Sequence, residues 1–232
     1  MGVKNLLYTI DIDRIVSIGM LLVMTLVVVV AIFEDKIRAW FTRPNLNVSI
    51  QMSPPDCHQI PIGQPPLEAD GYYFRLRVTN LGSQKAELVE VFAAELSSRL
   101  PDGRFEIVKS FLPMNLSWSH LHGLFFPAIS RGIYKHCDLA HIIDPQKRHQ
   151  FAYEDKSWPN IPSQKTILSF DTVVKPNTLS HLVPFGVYRL VILVAAANAQ
   201  SIRKTLEISL SGDWYDDEQQ MLSEGIGIKL LA

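Results

Sequence analysis

Only two cysteines, Cys57 and Cys137, occur in 232 residues, so the chain has no disulfide framework. One bridge between them is the most it can form, and only in an oxidising compartment. Blocks of like charge are also missing. The densest acidic spot is Asp216-Asp217-Glu218, and the formal net charge is −1. That balance offers no broad positive footprint for nucleic acid. Phosphate-binding glycine loops, nucleophile elbows, His-Glu-x-x-His and Cys-x-x-Cys are all absent. No cofactor is therefore expected, and the case for an enzyme weakens. No internal repeat or low-complexity tract is present either.

What the chain does have is one long apolar run. Ile15 to Phe33 carries no charge over nineteen residues. At ~1.5 Å per residue that spans about 28 Å, close to the ~30 Å hydrocarbon core of a bilayer. The expectation is an N-terminal tail over 1–14, capped at Asp13, then a membrane-spanning helix over 15–33 and a connector over 34–44. Lys36, Arg38, Trp40, Phe41 and Arg43 form the kind of aromatic and basic belt that sits at a membrane interface. A cleaved signal peptide would need a small-x-small site, and Ala31-Ile32-Phe33-Glu34 is not one. A buried core helix would show a polar face, and this run has only Ser17, Gly19 and Thr25. Lys4 and Arg14 precede it and Lys36, Arg38 and Arg43 follow, a slight lean towards a cytoplasmic C-terminal domain.

After Pro44 the hydrophobic period changes to two. Leu46, Val48, Ile50 and Met52 alternate with polar residues, and Ser53-Pro54-Pro55-Asp56 breaks the strand. The Pro- and Gly-containing stretch up to Asp70 reads as loop. Tyr72, Phe74, Leu76 and Val78 alternate with Tyr73, Arg75, Arg77 and Thr79, and Asn80-Leu81-Gly82-Ser83 turns the chain. Leu88 to Leu96 reads as a third strand. Val187 to Ala196 is apolar on both faces except for Arg189, which marks a central strand. Leu206 to Leu210 and Ile226 to Leu230 alternate again, with one short helix expected from Asp213 to Ser223. Many short strands with frequent turns predict an all-β fold over 45–232, an immunoglobulin-like β-sandwich. A long irregular insertion is expected at about 142–165. Gly186-Val187-Tyr188 resembles the tyrosine corner of such folds; a core tyrosine is the alternative.

The stretches Arg38-Ala39-Trp40-Phe41-Thr42-Arg43-Pro44 and Tyr72-Tyr73-Phe74-Arg75-Leu76-Arg77-Val78-Thr79-Asn80-Leu81-Gly82 resemble uncharacterised bacterial and archaeal membrane-tethered proteins. His136-Cys137-Asp138-Leu139 and Gly212-Asp213-Trp214 fit the same resemblance. It implies an immunoglobulin-like β-sandwich behind one membrane helix, and no activity or catalytic residue. The pattern around Asn80, Gly82 and Ala86 is also similar to adhesion-type β-sandwich modules, which bind or space.

Three groups of residues could carry function. The segment Trp118 to Pro127 sets His120 and His122 beside Phe125 and Phe126, and exposed aromatics favour binding. An apolar plug into the core is the alternative. Arg148, His149, Tyr153 and Trp158 lie in the irregular insertion, where binding residues often sit. Cys57, His58, His136 and Cys137 supply two thiols and two imidazoles, the donor set of a tetrahedral zinc site. Neighbours on a strand point to opposite faces, so such a site would need a loop. Asp216, Asp217 and Glu218 read either as calcium ligands or as the first turn of a helix. The expected function is a membrane-tethered protein-binding or structural accessory module. It would engage the bilayer through its helix and a protein partner through its loops. The alternative is a metal-binding sensor or metal-dependent enzyme.

Overall fold

The computed structural model describes residues 2–121, 123–151 and 162–231, with side chains except at 2–11 and 35–41. The chain divides into two units, Met1–Arg43 and Pro44–Ala232.

The first unit is one helix, α1, Gly2–Phe41, of 40 residues. Its segment Ile12–Glu34, whose most apolar stretch has a mean hydropathy of 3.0, is long and apolar enough to cross a membrane. None of that segment is buried, which argues against a core helix. Thr25 Oγ1 donates to the Leu21 carbonyl at 2.8 Å, so this hydroxyl is satisfied within the helix itself. The helix is longer than the sequence suggested. Asp13 is interior to it and caps nothing. Glu34-Asp35-Lys36 ends the apolar run without ending the helix, because Glu and Lys are themselves good helix formers.

The second unit is mostly β. Its strands are β1 Leu46–Ser49, β2 Cys57–Gln64, β3 Leu67–Asn80, β4 Ala86–Arg99, β5 Phe105–Ile107, β6 Met114–Asn115 and β7 Phe126–Ile129. They continue as β8 Tyr134–Ile143, β9 Leu168–Phe170, β10 Leu182–Val183, β11 Gly186–Ala196, β12 Ala199–Leu210 and β13 Ile226–Leu230. One sheet runs β1-β3-β8-β9-β10, with β2 also on β3. The other runs β13-β12-β11-β4-β5, with β6 and β7 also on β4. All these pairings are antiparallel. The alternating residues Phe74, Leu76 and Val78 of the first sheet and Leu190, Ile192 and Val194 of the second are fully buried in one core cluster. Each such side chain contributes about 1.5–3 kcal/mol.

The alternation in β3 and the central place of β11, between β12 and β4, agree with the sequence reading. Three segments differ. The stretch read as loop before Asp70 is a hairpin of β2 and β3. β2 borders its sheet, and an edge strand tolerates Pro61 because the missing N–H faces outward. β8 was not foreseen, since His136, Asp138 and His141 mask its pattern; yet Cys137 to Ile143 are all buried. The short helix is only Glu218–Gln220, running on as a π-helical turn Met221–Gly225. Asp217 caps it by accepting from the Gln220 N–H at 2.8 Å. Tyr188 takes the core position, with its ring buried within β11.

One fully buried amide, Asn80, ties three parts of this unit together. Its Oδ1 accepts from the N–H of Asn45 (3.1 Å) and of Gly82 (3.0 Å). Its Nδ2 donates to the carbonyls of Gln84 (2.6 Å) and Ile129 (2.9 Å). Its own N–H donates to the Ile133 carbonyl, and its carbonyl accepts from Gly132 N–H at 2.8 Å. Gly132 has φ +72°, a conformation that favours glycine. Every polar atom of Asn80 is thus paired. Asn80→Ala orphans two donors and two acceptors at once. It should cost about 2–4 kcal/mol, read as a lower urea midpoint of the full chain in detergent.

Candidate functional site

Alternate residues of β3 and β8 point away from the core and make a polar sheet face. Arg77 lies opposite His136, Arg75 opposite Asp138, and Tyr73 opposite His141, with a register shift between Phe74 and Arg75. His58 on β2 lies opposite Tyr73. The fully buried Asp56, just before β2, anchors one end. Its Oδ1 accepts from Arg77 Nε at 2.6 Å and faces His136 Nε2 at 3.1 Å; its Oδ2 accepts from Gln51 N–H at 3.0 Å. Several donors on one carboxylate offset the cost of burying it. The Arg77 guanidinium also lies 5.2 Å from the Tyr134 ring centre, and Tyr134 meets His136 edge-on at 5.3 Å.

The rest of the face is paired in the same way. Ser119 Oγ donates to Asp138. His141 Nδ1 lies 2.8 Å from Asp171 and its ring stacks on Tyr73 at 5.9 Å. Burial, together with Asp171 and Asp138, pushes the Tyr73 phenol well up. Burial and the neighbouring Arg75, whose Nη2 lies 3.2 Å from the ring, hold His58 below its usual value. The Ser119 hydroxyl is bonded to a carboxylate, not to an imidazole. That is not the pairing that activates a nucleophile. What the network can do is hold a rigid floor.

At the margin of the face is an open cleft of ≈ 460 Å³. Ser119, His120 and Leu121 form one wall, Tyr134, Lys135 and His136 the other, and Phe126 also lines it. Leu121 and Phe126 offer apolar surface; His120, Lys135 and His136 offer hydrogen bonds and positive charge. His120 sits at φ +68°, uncommon for a non-glycine residue and a feature that gathers at binding sites. Beneath it, Trp118 is completely buried with its ring 5.3 Å from Phe126.

The residues singled out from sequence separate in space. His120 and Phe126 line the cleft, and Phe125 is exposed on the same loop. Trp118 is core, the plug that the sequence left open as an alternative. Arg148 is buried and donates to the Lys165 carbonyl at 2.5 Å, so it clamps a loop. With the exposed His149 it borders a different hollow of ≈ 260 Å³. His122, Tyr153 and Trp158 lie outside the described residues. Lys36, Arg38, Trp40 and Phe41 belong to α1, but their side chains also lie outside; Arg43 follows the helix. Asp216 accepts from Trp214 Nε1, Asp217 caps a helical turn, and Glu218 accepts from Gln59 N–H, so each acid has a structural task.

The zinc set does not converge. Cys57 and Cys137 are fully buried in the core, whereas His58 and His136 are on the opposite, polar face. Among the described residues no group of three or more donors could hold a metal. Nor are the cysteines bridged: both are free. Cys57 pairs with Phe74 on one side of β3 and Cys137 with Leu76 on the other. Two strand spacings and a two-residue offset along β3 put them roughly 11–12 Å apart, beyond the reach of a disulfide. Burial, then Asp56, pushes the Cys57 thiol up to about 12, and burial raises Cys137 well above its usual value.

Asp56, Ser119, Tyr134, Lys135, Asp138 and His141 were not singled out from sequence. The usable signal was charge complementarity: Arg75 and Arg77 share a strand face, and paired cations at that depth need acids across from them.

No protein-family model matches the chain. No curated protein matches it. A solved structure described as an X-ray structure of Northeast Structural Genomics Consortium target SoR45 aligns over 78% of this chain and 95% of its own. The two are 10% identical, and the TM-score of 0.26 is too low to bear on fold or function.

Two outcomes follow from this geometry. Asp56→Ala strands Arg77 and His136 and should lower stability by about 2–4 kcal/mol in denaturant titration. The cost falls short of a deeply buried pair because both partners keep some solvent. The thiols set an alkaline limit. Their folded pKa values are raised, so their contribution is complete below pH ~9 and is lost at higher pH, for Cys57 as pH climbs towards about 12. Urea midpoints should fall over that window, less steeply in Cys57→Ala. At neutral pH neither thiol should react with a thiol reagent until the domain unfolds.

Proposed function

We propose that this protein is a membrane-tethered binding module. In this reading α1 crosses the bilayer once, and Lys36, Arg38, Trp40, Phe41 and Arg43 form its interfacial belt. The domain after it is an immunoglobulin-like β-sandwich on the cytoplasmic side. It binds a protein partner in the cleft between Ser119–Leu121 and Tyr134–His136, and acts as an accessory component without chemistry of its own. The cleft itself carries the reading: an open hollow of ≈ 460 Å³ that mixes apolar, cationic and imidazole groups over a hydrogen-bonded floor. The apolar length of Ile12–Glu34 supports the tether. Two sheets sharing one core support the sandwich.

The test is site-specific photocrosslinking of the full chain in its native membrane. A photoreactive residue at Leu121 should give a discrete adduct that His120→Ala together with Lys135→Glu abolishes. The same residue at Glu106, on β5, should give none. Adducts that are identical at both positions, or absent at Leu121, would remove the cleft as the binding site.

A further inference from the structure

The end of the domain where the chain enters β1 is built unlike the rest of its surface. Asn45 N–H and the Ile133 carbonyl both meet Asn80, and Leu81 N–H donates to the Asn45 carbonyl at 2.7 Å. The turns 81–85 and 130–134 therefore lie side by side with residue 45. They expose Leu81 (60%), Ile133 (47%) and Tyr134 (45%) together. Such residues grouped at one end, and not scattered singly, mark a contact surface.

Charge on this end has one sign. Lys85, Arg131 and Lys135 lie in or beside the two turns, and residues 42–50, 79–85 and 128–136 contain no Asp or Glu. Two acids outside these stretches bond to this end: Glu87 pairs with Lys85 at 2.8 Å, and the buried Asp56 faces His136 at 3.1 Å. Leucine, isoleucine and tyrosine among cations, of which Lys85 alone is paired with an acid among the described residues, suit a surface that is apolar just beneath an anionic layer.

Chain length names that surface. Four residues, Thr42 to Asn45, separate the last residue of α1 from β1. Fully extended they reach roughly 14 Å. If α1 spans a bilayer, the end carrying Asn45 is leashed within reach of the headgroups.

We infer that Leu81, Ile133 and Tyr134, with Lys85, Arg131 and Lys135 around them, dock on the anionic headgroup layer of the membrane that holds α1. This rests on the proposed tether and adds a second contact to it. The domain meets its bilayer through this end, and because Tyr134 and Lys135 also line the cleft, one rim of the cleft borders the headgroup layer.

The test uses the full chain in vesicles of phosphatidylcholine with phosphatidylserine, and in phosphatidylcholine alone. Environment-sensitive probes go on Val23→Cys in the helix, Ser130→Cys in the second turn, or Glu106→Cys. Glu106 is on β5, which pairs with the far end of β4. The buried native thiols stay unlabelled. Quenchers carried on the lipid report depth. Strong quenching at Val23 and Ser130, with about threefold less at Glu106, supports the inference. So does loss of Ser130 quenching in Leu81→Ser/Ile133→Ser. Quenching at Val23 with Ser130 no different from Glu106 overturns the docking and leaves the tether standing. No quenching at Val23 overturns the tether and the docking with it. Equal quenching at Ser130 in both vesicle types, unchanged by Arg131→Glu/Lys135→Glu, overturns the anionic headgroup as partner.

Discussion

The side chain of Asn80 is the constraint on which the arrangement of this domain turns. A fully buried amide has two donors and two acceptor lone pairs to satisfy, and here all four are used. One set of bonds fixes where the chain enters β1. Another closes the turn after β3. The third, with the backbone bonds to Gly132 and Ile133, sets the connection between β7 and β8. That connection sits between Phe126 and Tyr134, two of the residues lining the cleft. The proposed binding site and the proposed lipid-facing turns thus depend on a residue that touches neither ligand.

The polar sheet face is also held by paired side chains, although Arg75 Nε and Asp171 Oδ2 are buried without a hydrogen-bond partner among the described residues. Asp56, Arg77 and His136 close one circuit, Ser119 and Asp138 a second, His141 and Asp171 a third. Such a face is costly to assemble, and removing any one partner leaves another charge stranded at depth. Asp56 and Arg77 neutralise each other within it. The groups left to meet a partner are those at the margin: His120, Leu121 and Lys135. A stiff floor with an adaptable lip suits recognition, because little ordering is left to be done on binding.

How much of this was legible in the sequence depended on whether hydrophobic period survived. In β3 and β11 it did, and both strands were readable with their inward faces. The apolar run of α1 was readable too, though not the helix's extension through Lys36 to Phe41, where helix-forming charged residues continue it. β8 was not readable, because its outward positions hold histidine and aspartate where a strand pattern is sought. The zinc grouping failed for a related reason. Adjacent Cys and His in a strand face opposite ways, and only the pairing partners reveal that both pairs lie in strands. The cleft was half legible: the loop with His120 and Phe126 could be suspected, but its opposite wall, Tyr134 to His136, comes from a strand that had not been seen. Asn80 read as an ordinary turn residue, since nothing local shows that Ile129 and Asn45 will return to it.

The central claim is that one amide binds three segments into a single unit, and amide hydrogen exchange on the full chain in lipid nanodiscs tests it most directly. The amides of Gly82 and Gly132 lie in turns, where exchange is ordinarily fast. If Asn80 unites these segments, both amides exchange only as slowly as the core amides of β3, and all respond together to added denaturant. Fast exchange at Gly132 while β3 stays protected would contradict the account.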